Sequence, residues 1–120
     1  MSLKRIHIKT RMSGIVINGN NVHLSGMTAA QREGRSVGEQ TADILKRIDE
    51  LLADAGTDKK HLVQVNIWLS DITTFDEMNA VWDRWIVPGT APARATVESR
   101  LALPDIKVEI QVLAVLPDLD

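Results

Sequence analysis

Apolar and polar positions change period several times along this chain, and each change marks an element. From Lys4 to Thr10 the two kinds alternate, with Ile6 and Ile8 on one side and His7 and Lys9 on the other. A period of two is the pattern of a strand with one buried face. Two further apolar-rich runs, Ser13 to Ile17 and Asn21 to Ser25, flank Asn18-Gly19-Asn20. Asn and Gly tolerate positive φ, so this tripeptide predicts a hairpin. Gly26 to Arg35 is polar and aperiodic, and predicts a loop.

At Ser36 the period changes to that of a helix. Val37, Thr41, Ile44, Leu45, Ile48, Leu51, Leu52 and Ala55 fall on one helical face. Ser36 and Glu39 have capping-box spacing, and Gly56 supplies a C-terminal stop. Alternation returns with Val63, Val65, Ile67 and Leu69 against Gln64, Asn66, Trp68 and Ser70. A second helix follows, with capping-box spacing at Thr74 and Glu77 and an end at Pro88-Gly89. Its apolar face is Phe75, Met78, Trp82, Trp85 and Ile86. Two strands close the chain, Ala93 to Glu98 and Lys107 to Val115.

The order ββ(β)αβαββ implies an α+β two-layer sandwich, one sheet with both helices on one face. At 120 residues, one domain spanning 1–120 is expected. If Val65, Ala95, Val97, Val108 and Ile110 face the helices, the other sheet face carries Trp68, Arg94, Thr96, Glu109 and Gln111. An indole among mixed polar groups is an odd solvent face, and a second subunit would cover it.

Composition narrows the function classes. Hydrophobic residues make up 44% and charged residues 25%, which is enough apolar surface for a folded core and argues against disorder. A net charge of −2 with no Tyr and one Phe disfavours nucleic acid as a partner, in both phosphate attraction and base stacking. The absence of Cys removes a disulfide framework, a thiolate nucleophile and Cys-ligated metal. His7, His23 and His61 are scattered, so no metal is expected. No apolar leader or membrane-length segment is legible, and a cytoplasmic location is expected.

Two charged residues stand out on the last two strands, which are expected to be antiparallel neighbours. Alternation places Arg94 and Glu109 together on the face away from the helices. Arg presents a rigid fork suited to a carboxylate, and Glu can take a proton from a water. A cross-strand ion pair on a wet face satisfies the same spacing and is the commoner arrangement. Asn79 lies inside the apolar stripe of the second helix, where its amide needs partners. Satisfying a loop is its commoner use, and reaching a ligand the alternative.

The segment Ala91-Pro92-Ala93-Arg94-Ala95-Thr96-Val97-Glu98, followed by Lys107-Val108-Glu109-Ile110, resembles the C-terminal signature of the Rid (YjgF) family of reactive intermediate deaminases. Ser25-Gly26 resembles the turn after that family's second strand, and Phe75-Asp76-Glu77-Met78-Asn79 its helix start. The resemblance covers nearly the whole chain. It implies a chorismate-mutase-like fold with a mixed sheet, and a homotrimer with sites between subunits. The implied reaction is hydrolysis of 2-imino acids or enamines to 2-keto acids and ammonia, with no cofactor. Arg94 matches the residue that binds the substrate carboxylate, and Glu109 the acid that positions water. Gly26, Asn79 and the Thr96 N–H match contacts lining the cleft. Thr96 stands where typical deaminases carry Cys, Met12 falls nearest a missing Tyr, and Gln111 replaces a second acid. Trp82-Asp83-Arg84-Trp85 resembles a YoaB-like branch. Two other functions remain open: a small-carboxylate-binding or regulatory module without turnover, and an endoribonuclease-like or translation-inhibiting activity.

Overall fold

A computed structural model describes residues 3–117. Six strands form one mixed sheet: β1 (Leu3–Ile8), β2 (Ser13–Asn18), β3 (Asn21–Leu24), β4 (Leu62–Leu69), β5 (Ala93–Glu98) and β6 (Val108–Val115). Their spatial order is β1-β2-β3-β6-β4-β5. Two helices, α1 (Val37–Ala55) and α2 (Phe75–Trp85), pack on one face. The α+β sandwich read from the sequence is the fold observed.

The hairpin turns where the sequence placed it. Asn18 pairs with Asn21, and Gly19 holds φ 60 as the first central residue of the turn. Few residues other than Gly sit there without strain. Helix α1 begins on the expected capping box: Ser36 Oγ accepts from the Glu39 N–H at 3.1 Å, and Glu39 Oε1 accepts from the Ser36 N–H at 2.9 Å. It ends at Gly56 (φ 90), where the Gly56 and Thr57 N–H groups return to the carbonyls of Ala53 and Leu52. Ile44, Leu45, Ile48 and Leu52 are buried against Ile15, Ile17, Val65, Ile67, Val108 and Ile110 of the sheet. Burying side chains of this size contributes about 1.5–3 kcal/mol each relative to exposure, and this contact is the main hydrophobic term.

Three local readings are corrected. Thr74 makes no capping hydrogen bond through its side chain to α2. A 3-10 turn at Ile72–Thr74 precedes the helix and is capped by Asp71, which accepts from the Thr73 N–H at 2.9 Å. Glu77 instead accepts the Gly38 N–H at 2.8 Å, in the first turn of α1. The acid read as a local cap thus joins the two helices, and places negative charge where a helix N-terminus favours it. Second, Val63 is exposed and Leu62 buried, because the β4–β6 register shifts between Leu62 and Gln64. A bulge of this kind changes which side chains face the core. Third, β5 and β6 are not neighbours: β4 lies between them, antiparallel to β6 and parallel to β5.

Gln40 was not anticipated as part of the core. It is fully buried and joins two loops. Its Nε2 donates to the Asp105 carbonyl at 3.0 Å, and its Oε1 accepts from the Lys107 N–H at 3.0 Å. Both ends are satisfied, as burial of an amide requires.

The caps give stability a definite pH dependence. The Thr73 side chain and N–H hold Asp71 below its ordinary carboxylate pKa. The His61 side chain does the same for Asp58, and the Ser36 backbone for Glu39. A depressed folded-state pKa adds stability above the unfolded pKa, and that stability is lost as pH falls through the folded one. Melting temperature by circular dichroism is therefore expected to hold steady above about pH 5 and to fall below about pH 4. Glu39→Gln should flatten part of that fall. An acid limb unchanged in this variant would show that the α1 cap carries no proton linkage.

Candidate functional site

The sheet register decides where the charged residues go. In the parallel β4–β5 pair, Arg94 lies beside Val65 and Thr96 beside Ile67. Directly paired residues share a face, and Val65 and Ile67 are buried under the helices. Arg94 and Thr96 therefore lie on the helix side, and Ala95 and Val97 on the open side. In the antiparallel β4–β6 pair, Trp68 lies beside Glu109 and Asn66 beside Gln111. These four belong to the open face. The sequence reading put Arg94, Thr96 and Glu109 on one face; the sheet separates the first two from the third. No ion pair links Arg94 to Glu109 among the described residues. The simple cross-strand pair is thus excluded within one chain.

Arg94 sits in an aromatic cradle made by α2. Its guanidinium carbon is 5.1 Å from the Trp82 ring centroid and 5.9 Å from that of Phe75. Phe75, expected in the core, is 39% exposed, and so is free to wall this cradle. Trp82 is buried and fixes the platform. A cavity of about 510 Å³ opens here, lined by Asp76, Asn79, Ala80, Trp82, Asp83 and Arg94. Burial pulls the Arg94 pKa below its ordinary value, and Asp83 partly offsets this. Guanidinium remains charged under any physiological condition. Arg94 is thus a partly desolvated cation with no carboxylate in salt-bridge contact among the described residues. That state favours an incoming anion.

Asn79 faces the same cavity, four residues along α2 from Phe75, so the helix brings a neutral amide beside the guanidinium. Thr96 follows on the same strand face. Its Oγ1 is buried without a hydrogen-bond partner among the described residues. β5 is an edge strand, so part of its backbone hydrogen-bonding capacity faces away from the ladder.

Glu109 and Gly26 form a second cluster. The Met27 N–H donates to the Ile110 carbonyl at 2.8 Å, and the Ile110 N–H to the Met27 carbonyl at 3.0 Å. This pair of bonds fixes the loop after β3 onto β6. A Cβ built on Gly26 would overlap the Glu109 carboxylate and lie 3.3 Å from its Cδ. Glycine is therefore required for this close approach. Gly26 also borders a cavity of about 340 Å³, with Met12, His7, Lys9 and Arg47 in its wall. The last three were not singled out as site residues in the sequence. His7 and Lys9 are near neighbours on β1 and the following turn, but Arg47 lies far along the chain on α1, and no motif announces their meeting.

A chain folded in this way can be compared with known proteins. The endoribonuclease L-PSP family model matches residues 3–116. The chain belongs to this family, also known as YjgF or Rid. The RutC family protein YoaB of Escherichia coli is 37% identical over 114 residues, covering 95% of this chain and 98% of that protein. The crystal structure of a YjgF-family protein from Neisseria meningitidis superposes with a TM-score of 0.95 at 42% identity, covering 98% of each chain. A third relative, Reactive Intermediate Deaminase A of Arabidopsis thaliana, is 32% identical over 106 residues, covering 83% of this chain and 56% of that protein. Family membership and the chorismate-mutase-like fold of the YjgF proteins are thereby established for this chain, and the likeness to YoaB agrees with the branch suggested by Trp82-Asp83-Arg84-Trp85. The match to Rid proteins extends over both clusters, since Gly26, Asn79, Arg94, Thr96 and Glu109 all lie inside the aligned span. Among the described residues, no helix is long and apolar enough to cross a membrane.

Proposed function

We propose that this protein hydrolyses reactive 2-imino acids, or their enamine tautomers, to 2-keto acids and ammonia. The observation that carries the reading is Arg94: a partly buried guanidinium, stacked on aromatic rings, facing a cavity and in no ion pair with a described residue. An α-carboxylate fits that fork through two charge-assisted hydrogen bonds. Glu109 supplies the base. Water attacks the imine carbon while Glu109 takes its proton, forming a carbinolamine. Glu109 returns that proton to nitrogen and then takes the hydroxyl proton as the C–N bond breaks, so that ammonia leaves and the 2-keto group remains. An enamine first takes a proton at its β-carbon to become the imine. One water is consumed and no metal or organic cofactor is needed.

Because Arg94 and Glu109 occupy opposite sheet faces, one ligand meets both only between chains. We place the site between subunits of a homotrimer, with Glu109 and Gly26 of one chain facing Arg94, Asn79 and the Thr96 N–H of the partner subunit. A heterologous contact of this kind closes into a three-membered ring when it repeats by a third of a turn. The open sheet face supports it, since Val97 is 50% exposed beside Trp68. Apolar side chains at that position are what a subunit contact would cover. Sedimentation equilibrium at micromolar concentration is expected to return three times the mass of the chain. A monomer mass would remove the shared site.

The direct test of function is ammonia or keto-acid release from freshly generated imino acids, comparing the protein with its Arg94→Ala variant. A carboxylate-binding module without turnover would use the same Arg94 but release no ammonia. Cleavage of RNA, suggested by the family's name, has less support here. A net charge of −2 offers no general attraction for a phosphate backbone.

A further inference from the structure

We propose that the cavity beside Gly26 is the subsite for the substrate's side chain, and that its cations select an acidic one. The favoured substrate class is then the 2-imino acid of a dicarboxylic amino acid. This rests on the hydrolytic reading above and specifies its substrate.

The position of the cavity gives the first reason. It holds about 340 Å³ and shares Gly26 with the Glu109 cluster. Gly26 joins the two, lining this space and packing against the Glu109 carboxylate. Charge gives the second. Lys9 and Arg47 both line the cavity, and neither is ion-paired to a described residue. The acids nearby are otherwise engaged or lie elsewhere. Asp54 pairs with His7 at 2.9 Å, and Asp43 accepts the Ala30 N–H at 2.7 Å. Glu50 is an exposed residue of α1, and Glu109 lies on the Gly26 side.

Preorganisation is the third reason. Arg47 is not a free surface side chain: its Nη1 donates to the Thr28 carbonyl at 2.7 Å, leaving its other donors available. His7 holds φ 57, the only positive φ at a non-glycine among the described residues. A left-handed residue that is neither Gly nor Asn costs energy, and such strain gathers at ligand sites. Here it directs the imidazole Nε2 to Asp54, and Nδ1 makes no hydrogen bond to a described residue. Gly14 accommodates the arrangement, since a Cβ there would meet His7 Cβ at 3.2 Å. Met12 and Leu51 complete the wall with apolar surface, which suits the methylene groups between two carboxylates. Of the anionic groups an amino-acid side chain offers, the carboxylate is the one this set of donors would meet.

The test is calorimetric titration of the intact protein with 2-oxoglutarate and with 2-oxobutyrate, products with and without the second carboxylate. The wild type is expected to bind 2-oxoglutarate at least about tenfold more tightly. Lys9→Met and Arg47→Gln should each reduce the ratio of the two affinities about tenfold or to unity. Lys9 is exposed and, among the described residues, bonded only through its backbone, so its variant keeps the fold even where Arg47→Gln disturbs the Thr28 loop. Equal affinities in the wild type, or a preference that survives the double variant, would overturn the proposal while leaving the hydrolytic reading intact. Binding of neither keto acid, or binding indifferent to Arg94→Ala, would instead bring down that reading, and the proposal with it.

Discussion

Arg94→Ala is expected to abolish 2-keto-acid binding and to lower kcat/KM for imine hydrolysis by at least tenfold to several hundredfold. Hydrogen bonds to a charged group contribute about 1.5–3 kcal/mol each, and a bidentate carboxylate makes two. Both are present in the ground state and the transition state, so the loss should fall largely on KM. The variant should remain folded. What it removes from the chain itself is a guanidinium stacked 5.1 Å from the Trp82 ring and 5.9 Å from Phe75, worth about 0.5–2 kcal/mol. Arg94→Lys separates the two roles. An ammonium can still lie over the indole, so stability should be retained. A point charge cannot reproduce the planar fork, so binding should fail nearly as badly as in the alanine variant. Calorimetry with 2-oxobutyrate, alongside thermal melts, checks both parts. A lysine variant that binds like wild type would show that Arg94 supplies charge alone.

The fold was legible because its periods are long and its punctuation is strong. Nineteen residues of α1 run between a capping box and a left-handed glycine, and both termini form as read. Alternation likewise fixed which residues share a face within β5 and β6. It did not fix which face. On β5 the choice lay between Arg94 with Thr96 and Ala95 with Val97, and the reading gave the apolar pair to the core. That rule fails on an edge strand, where α2 covers Arg94 with Trp82 and Phe75 rather than with aliphatic side chains. Strand order was illegible for a related reason. The β5–β6 adjacency expected from sequence proximity is displaced by β4, which pairs with both. Glu77 is a third case. The spacing Thr74 to Glu77 suits a local cap, yet the carboxylate bonds to Gly38, thirty-nine residues earlier. Sequence spacing states which contacts are affordable locally, and tertiary packing chooses among them.

These corrections bear on the candidate site. Residues singled out as one cluster form two, and each is internally consistent: a cation waiting for an anion, and a carboxylate packed against a glycine. Their separation by the sheet turns a question about an ion pair into one about assembly. His7, Lys9 and Arg47 could not have been found by spacing. Their meeting depends on a positive φ at His7 and on the docking of α1 against β1 and β2, neither of which leaves a mark in the sequence.

Glu109→Gln is expected to lower kcat by about 10²–10⁴-fold, the usual contribution of a positioned general base. Keto-acid binding should persist, because the carboxylate fork lies on Arg94. Gly26→Ala provides an independent route to the same effect. Gly26 has no positive φ, so alanine is compatible with its backbone. Its new Cβ would overlap the Glu109 carboxylate, the flexible end of a side chain that can swing aside. The protein should therefore fold while the base leaves its place. If Gly26 acts only by permitting that position, the two changes are not independent. The double variant Gly26→Ala/Glu109→Gln should then be no slower than Glu109→Gln alone, since the cost of displacing a base vanishes once the base is gone. Additive losses would assign Gly26 a separate contact with substrate. Wild-type kcat in Glu109→Gln, with the fold intact, would remove Glu109 from the chemistry and leave Arg94 as a carboxylate sensor.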